Sequence, residues 1–228
     1  IRYRMSAEVR GKVFIGSREF VFSEAYNALN MGRYRFPKPI DMAVDTEKNI
    51  YITSFYSGKL VKISPNGDGL EIFDQGTEGR FYGVDCGKDR ICVSDFKSNK
   101  VHILDEDLNL IKSFGSSGSS AGEFHGPKGV KYDEYGNIYI VDSGNHRIQK
   151  FDKDGNSVLK FGEQGEYEGQ LDNPSNVFID NNIIYVSDTG NKRIACFDES
   201  GNFIKNIFIR EVERPRGISI YEKNLIIS

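Results

Sequence analysis

One stretch, Gly136 to Phe151 (GNIYIVDSGNHRIQKF), recurs along this chain, and its spacing limits the possible folds more than any other feature. The basic residue after its turn occurs as Lys59-Leu60, Lys100-Val101, Arg147-Ile148 and Arg193-Ile194, at intervals of 41, 47 and 46 residues. Five positions earlier stand Ser54, Asp95, Asp142 and Asp188, and four positions later Ile63, Leu104, Phe151 and Phe197. The block aligns without gaps. A fixed period on this scale is the mark of a repeat architecture, in which each unit buries its apolar faces against its neighbours.

A second landmark opens each unit at Pro39, Phe81, Pro127, Pro174 and Pro215, with Met42, Val84, Val130, Val177 and Ile218 three positions on. Short runs rich in Ile, Val, Tyr and Phe follow, separated by Gly, Asn and Asp, which is the pattern of strands and tight turns. The third full unit reads as four strands at 129–133, 137–142, 147–152 and 157–161, with a glycine-rich loop, 162–173, leading to the next unit. Four strands per unit predict an all-β fold, a β-propeller of four-stranded antiparallel blades. A β-sandwich accounts for the strands but not for one unit repeated in order. The expected division is a partial blade at 1–36, full blades at 37–80, 81–126, 127–173 and 174–214, and the start of a further blade at 215–228.

Residues 1–36 read as the second, third and fourth strands of a blade, with Gly16 interrupting an otherwise apolar column, and 23–31 has room for a turn of helix. The ends overlap by one strand, so the expectation is a six-bladed ring in a longer protein. Asp or Ser is then expected immediately after Ser228, and Lys or Arg five residues beyond it.

Composition narrows the classes. The 16 Phe and 12 Tyr suit strands, and a formal net charge of -3 disfavours a phosphate-backbone binder. Cys86, Cys92 and Cys196 have no metal-ligand spacing. The first two stand where other units carry Val, Ile or Tyr and read as strand hydrophobes, a disulfide between them being the alternative. No apolar run is long enough for a transmembrane helix.

The block Asp142-Ser-Gly-Asn145-His146-Arg147-Ile148 and its copy Asp188-Thr-Gly-Asn191-Lys192-Arg193-Ile194 resemble the NHL repeat. So do the glycine-spaced approaches to proline at 118–127 and 165–174. The first and second units are looser, with Lys for Arg and Ser54 for Asp. The resemblance implies a propeller. It also implies a choice among protein-binding and scaffold modules, RNA readers, and lyases of the amidating or streptogramin type. The amidating lyases hold zinc through histidines from several blades, and this chain offers only His102, His125 and His146. His102 falls in a third strand, His125 in a loop between blades, and His146 in the repeat consensus.

The Asp column with Lys100, Arg147 and Arg193 reads as a per-blade structural fastening, since a carboxylate at a strand end takes hydrogen bonds from the turn and from the following Arg. Acidic groups such as 105–107 read as solvated turns. No nucleophile elbow or phosphate-binding loop is present.

The binding expectation rests on one face, carrying the second-to-third-strand turns and the loops between blades. It offers Phe55, Tyr56, Phe81, Tyr82, Phe96 and Lys97, with His125, His146 and Lys192 from later units. Exposed rings flanked by polar groups suit a protein or peptide contact. The alternative is that some rings pack beneath neighbouring loops.

The preferred reading is a non-catalytic binding or scaffold module with no cofactor and no metal, acting within a longer bacterial protein outside the cytoplasm. Another protein or a peptide is the expected partner, with a small molecule as the lesser choice. A metal-dependent lyase is the first alternative and single-stranded RNA binding the second.

Overall fold

The computed structural model describes residues 12–15, 18–21, 39–65, 70–74, 79–208, 212–221 and 224–227. The expectations for Gly16, for 23–31 and for the strand before Lys12 lie outside these residues. Strands β1 (Lys12–Ile15) and β2 (Arg18–Val21) pair antiparallel.

Four four-stranded sheets follow, each a meander in which sequence neighbours pair. The first holds β3 (Pro39–Val44), β4 (Ile50–Ser54), β5 (Lys59–Ile63) and β6 (Leu70–Phe73). The second holds β7 (Phe81–Cys86), β8 (Ile91–Asp95), β9 (Lys100–Leu104) and β10 (Leu110–Phe114). The third is β11 (Pro127–Tyr132), β12 (Ile138–Asp142), β13 (Arg147–Phe151) and β14 (Ser157–Phe161). The fourth is β15 (Val177–Asp180), β16 (Ile183–Asp188), β17 (Arg193–Asp198) and β18 (Phe203–Phe208). A last described pair joins β19 (Ile218–Tyr221) to β20 (Asn224–Ile227). In the third sheet the expected strands and the observed ones agree to within two residues at every end.

The first strands β3, β7, β11, β15 and β19 pack beside one another in that order, so successive sheets are set around a common axis. This is a β-propeller. Its energetics follow from burial on both faces of each sheet. In β8 the side chains of Ile91 and Val93 pack toward the first sheet, in one cluster with Tyr51, Leu60 and Phe73. Cys92, between them, faces the third sheet with Phe124, Val130 and Ile138. Strands β4, β8 and β12 are buried throughout, whereas the outer strand β10 is mostly exposed. All three cysteines are free thiols, so Cys86 and Cys92 are not joined by a disulfide.

Two devices hold neighbouring sheets together at the axis. Hydroxyls at the same place in β4 and β8 reach across to the next sheet: Thr53 Oγ1 donates to the Tyr82 carbonyl at 2.7 Å, and Ser94 Oγ donates to the Lys128 carbonyl. Glycine permits the close approach: a Cβ on Gly83 would stand 2.4 Å from the Lys128 oxygen.

Candidate functional site

The aspartate column fastens the loops between sheets. Asp142 is fully buried at the end of β12, and its Oδ2 accepts Arg147 Nε at 2.8 Å, Asn145 Nδ2 at 2.9 Å and Gln149 Nε2 at 3.0 Å. Its Oδ1 accepts the His125 N–H at 2.8 Å. The remaining guanidinium nitrogens of Arg147 donate to the carbonyls of Ser119, Ser120 and Glu123. Arg193 repeats the pattern with Asp188, Glu166, Tyr167 and Gln170. At Asp188 burial pushes the carboxyl up, partly offset by the Asp172 N–H, Asn191 and Arg193.

The second sheet departs from the expected pairing. Lys100 is exposed, and the residue standing near Asp95 is His102, with Nε2 4.0 Å from Asp95 Oδ2 and Nδ1 2.7 Å from Ser113 Oγ. A lysine at this position lacks the planar fork that threads a loop, and His102, two residues on, occupies the place that Gln149 holds in the third sheet. At Asp95 burial raises the carboxyl, but His102 and the N–H groups of Arg80 and Ser98 outweigh it and hold it well below the usual range.

His146 and Lys192 close the turns before β13 and β17 in the left-handed region, with φ of 54° and 56°, as Gly58 and Asn99 do in the earlier sheets. This is a backbone position first. His146 Nδ1 accepts the Asn173 N–H at 3.2 Å and lies 3.3 Å from Asp172. His125 is exposed in the loop before β11. Among the described residues no group of three or more His, Cys, Asp or Glu side chains converges for a metal ion.

The aromatic residues divide. Phe81 is 1% exposed and stacks on Phe73 at 5.6 Å, so it belongs to the core between the first two sheets and offers no surface. Phe55 and Tyr56 after β4, Phe96 after β8 and Tyr82 at the start of β7 form one cluster: Phe55 has ring centroids 5.8 Å from Tyr56, 6.1 Å from Tyr82 and 5.8 Å from Phe96. The Arg80 guanidinium lies 5.3 Å over Phe55. Tyr56 is 63% exposed, and Lys97, next to Phe96 in the chain, is exposed.

Sequence reasoning missed the channel. The first and second strands shift register at the same place in three sheets, between Pro39 and Met42, Phe81 and Val84, and Pro127 and Val130. The residues after each landmark stand at the axis, where Ile40, Asp41, Tyr82, Gly129, Ser175, Asn176 and Arg216 line a cavity of about 30 Å³. Deeper in the channel Lys131 Nζ meets Asp85 Oδ1 at 2.7 Å, and Asp85 Oδ2 accepts the Tyr132 N–H at 2.8 Å. Asp41 Oδ2 accepts the Val84 N–H at 3.0 Å, and burial pushes its carboxyl up to about 6 against that hydrogen bond. The signal was available: in the column after each landmark the units disagree, reading Ile40, Tyr82, Lys128, Ser175 and Arg216.

On the opposite rim an open depression of about 430 Å³ is lined by Tyr132, Asp133, Glu134, Asp180 and Glu199. Asp133 there accepts the N–H groups of Tyr135 and Asn137, closing the turn between β11 and β12 with a buried carboxylate.

Comparison with known proteins matches residues 124–151 to the NHL repeat. No curated protein matches by sequence. Among solved structures, a streptogramin B lyase superposes with a TM-score of 0.71 at 15% identity, over 86% of this chain and 63% of that one. The nidogen/laminin complex gives a TM-score of 0.71 at 18% identity, over 85% and 72%. The glutaminyl cyclase of Myxococcus xanthus gives 0.60 at 13%, over 85% and 86%. The chain therefore spans about 63% of the length of the streptogramin B lyase chain. At these identities the likeness is one of fold, and it includes both enzymes and a binding partner.

Proposed function

We propose that this chain, an NHL-repeat β-propeller, is a non-catalytic binding module that takes a peptide segment of another protein on the rim carrying Phe55, Tyr56, Tyr82 and Phe96. The observation that carries this reading is the aromatic cluster itself. Four rings from two adjacent sheets meet on one rim, three of them half-buried, and Tyr56 remains 63% exposed. Rigid aromatic side chains beside Arg80 and Lys97 provide contact area at small entropic cost, the composition found at interface anchors. A related fold in a nidogen/laminin complex supports a protein partner. The lyase reading has less support, because the repeated Asp, Arg and Asn side chains are committed to fastening loops and His146 is held by Asp172 and Asn173.

Selection of random twelve-residue peptides on the immobilised protein tests the reading. Selected peptides should bind the Tyr56→Ala and Lys97→Ser variants at least about tenfold more weakly, as expected for truncating an anchor. Peptides that bind both variants as well as the parent would place the binding surface elsewhere.

A further inference from the structure

We propose that the channel mouth is a carboxylate site, and that the peptide taken by this face sets an Asp or Glu side chain between Lys128 and Arg216. The proposal rests on the reading of the face given above and adds the chemistry at its centre.

Lys128 and Arg216 occupy the same column in different sheets and converge on the axis beside Tyr82. Burial holds the Lys128 ammonium below its ordinary range and the nearby Arg216 charge pushes it the same way. Among the described residues neither has an ion-pair partner. Lys128 Nζ has only the Tyr82 ring within reach, at 5.9 Å, near the limit of a cation–π contact. Two like charges brought together with only Asp41 as an acid in the same lining leave room for an anion, and a guanidinium fork suits a carboxylate. Asn176 adds a donor: its Oδ1 accepts the Val177 N–H at 2.8 Å, and its Nδ2 has no acceptor among the described residues. Of the other charged groups facing the channel among the described residues, Asp85 and Lys131 neutralise each other, and Asp41 offsets at most one mouth cation. The described residues of the mouth keep a net positive charge.

Tyr82 joins this site to the aromatic cluster. It lines the cavity, lies beneath Lys128, and packs 6.1 Å from Phe55 and 6.4 Å from Phe96. In an extended peptide, residues two apart are roughly 6.6 Å apart on one side. Because Tyr82 belongs to both, a peptide with an acid at the mouth can set an aromatic side chain two residues away against the cluster.

The test uses two peptides, acetyl-Phe-Ala-Glu-Ala-Phe-amide and its Gln counterpart, titrated by NMR into the protein and into the Lys128→Met, Arg216→Gln and Tyr56→Ala variants. The Glu peptide should bind about tenfold tighter than the Gln peptide, as for one charge-assisted contact. Either cation variant should bring that ratio close to one, and Tyr56→Ala should weaken both peptides alike. A ratio near one in the parent, or a ratio that survives both cation variants, overturns the carboxylate site; a shared loss in Tyr56→Ala would still uphold the face. A preserved ratio with no effect of Tyr56→Ala overturns the face and leaves the anion site standing. No binding of either peptide, or tighter binding of oligouridylate than of the Glu peptide, overturns the assignment to an acidic peptide.

Discussion

Arg147 Nε donates to Asp142 Oδ2 at 2.8 Å, and the two side chains are 8% and 0% exposed at the end of a sheet whose incoming loop they secure. Removing the arginine leaves a buried carboxylate without its counter-charge and three loop carbonyls without donors. Arg147→Ala should cost about 3–5 kcal/mol in urea unfolding, whereas Arg147→Lys, which keeps the charge but not the fork, should cost about 1–3 kcal/mol. A loss below about 1 kcal/mol for the alanine variant would contradict a fastening role.

Asp41 gives the channel a pH signature. Its carboxyl sits at about 6 in the folded protein against an ordinary 3.8, so the native state holds the proton more tightly than the unfolded chain. That contribution is fully present below about pH 4 and is lost as pH rises through about 6. Asp41→Asn, which retains an acceptor for the Val84 N–H, should remove this dependence. It should be the more stable protein at pH 7.5 by about 1–2 kcal/mol, discounted for the residual solvent contact of the site. Paired unfolding curves at pH 4.5 and 7.5 measure it.

The hydroxyl rungs between sheets are not equivalent. Thr53 Oγ1 reaches the Tyr82 carbonyl, whereas Ser187, in the same column, is buried with its Oγ unpartnered, and Val141 fills that column in the third sheet. Thr53→Val should cost about 1–2 kcal/mol, because a buried carbonyl loses its donor, and Ser187→Val should be neutral or stabilising. Thermal unfolding of the two variants distinguishes them.

The thiols should be silent in the native protein. Cys92 and Cys196 are fully buried, and burial holds the thiols of Cys86, Cys92 and Cys196 above their ordinary range. Labelling with a thiol-exchange reagent should be slow in buffer and should reach three thiols on unfolding without reductant. Fewer than three would reveal a disulfide.

The fold was legible because its determinants repeat. Pro127, Val130, Asp142 and Arg147 each have partners a period away, and comparing the copies identifies the unit without any knowledge of packing. The surface was less legible. Phe81 and Phe96 look alike in sequence, yet Phe81 stands in a landmark column that faces the neighbouring sheet, and Phe96 stands in a turn. The channel was hidden for another reason. A bulge changes which side of the strand a residue faces, and alternation counted along 39–44 or 81–86 gives no warning of it. Asp41, Asp85 and Lys131 were therefore passed over, although the columns two and four positions after each landmark, in which Asp41 and then Asp85 and Lys131 stand, vary from one unit to the next.

The binding face is tested most directly by hydrogen exchange on the protein with and without a selected peptide. The account predicts slowed exchange in the turns at 55–58 and 96–99 and in the first strands near Tyr82 and Lys128, with no change in the opposite turns at 133–137 and 180–183. Protection confined to those opposite turns, or a bound peptide that leaves 55–58 and 96–99 unaltered, would contradict it.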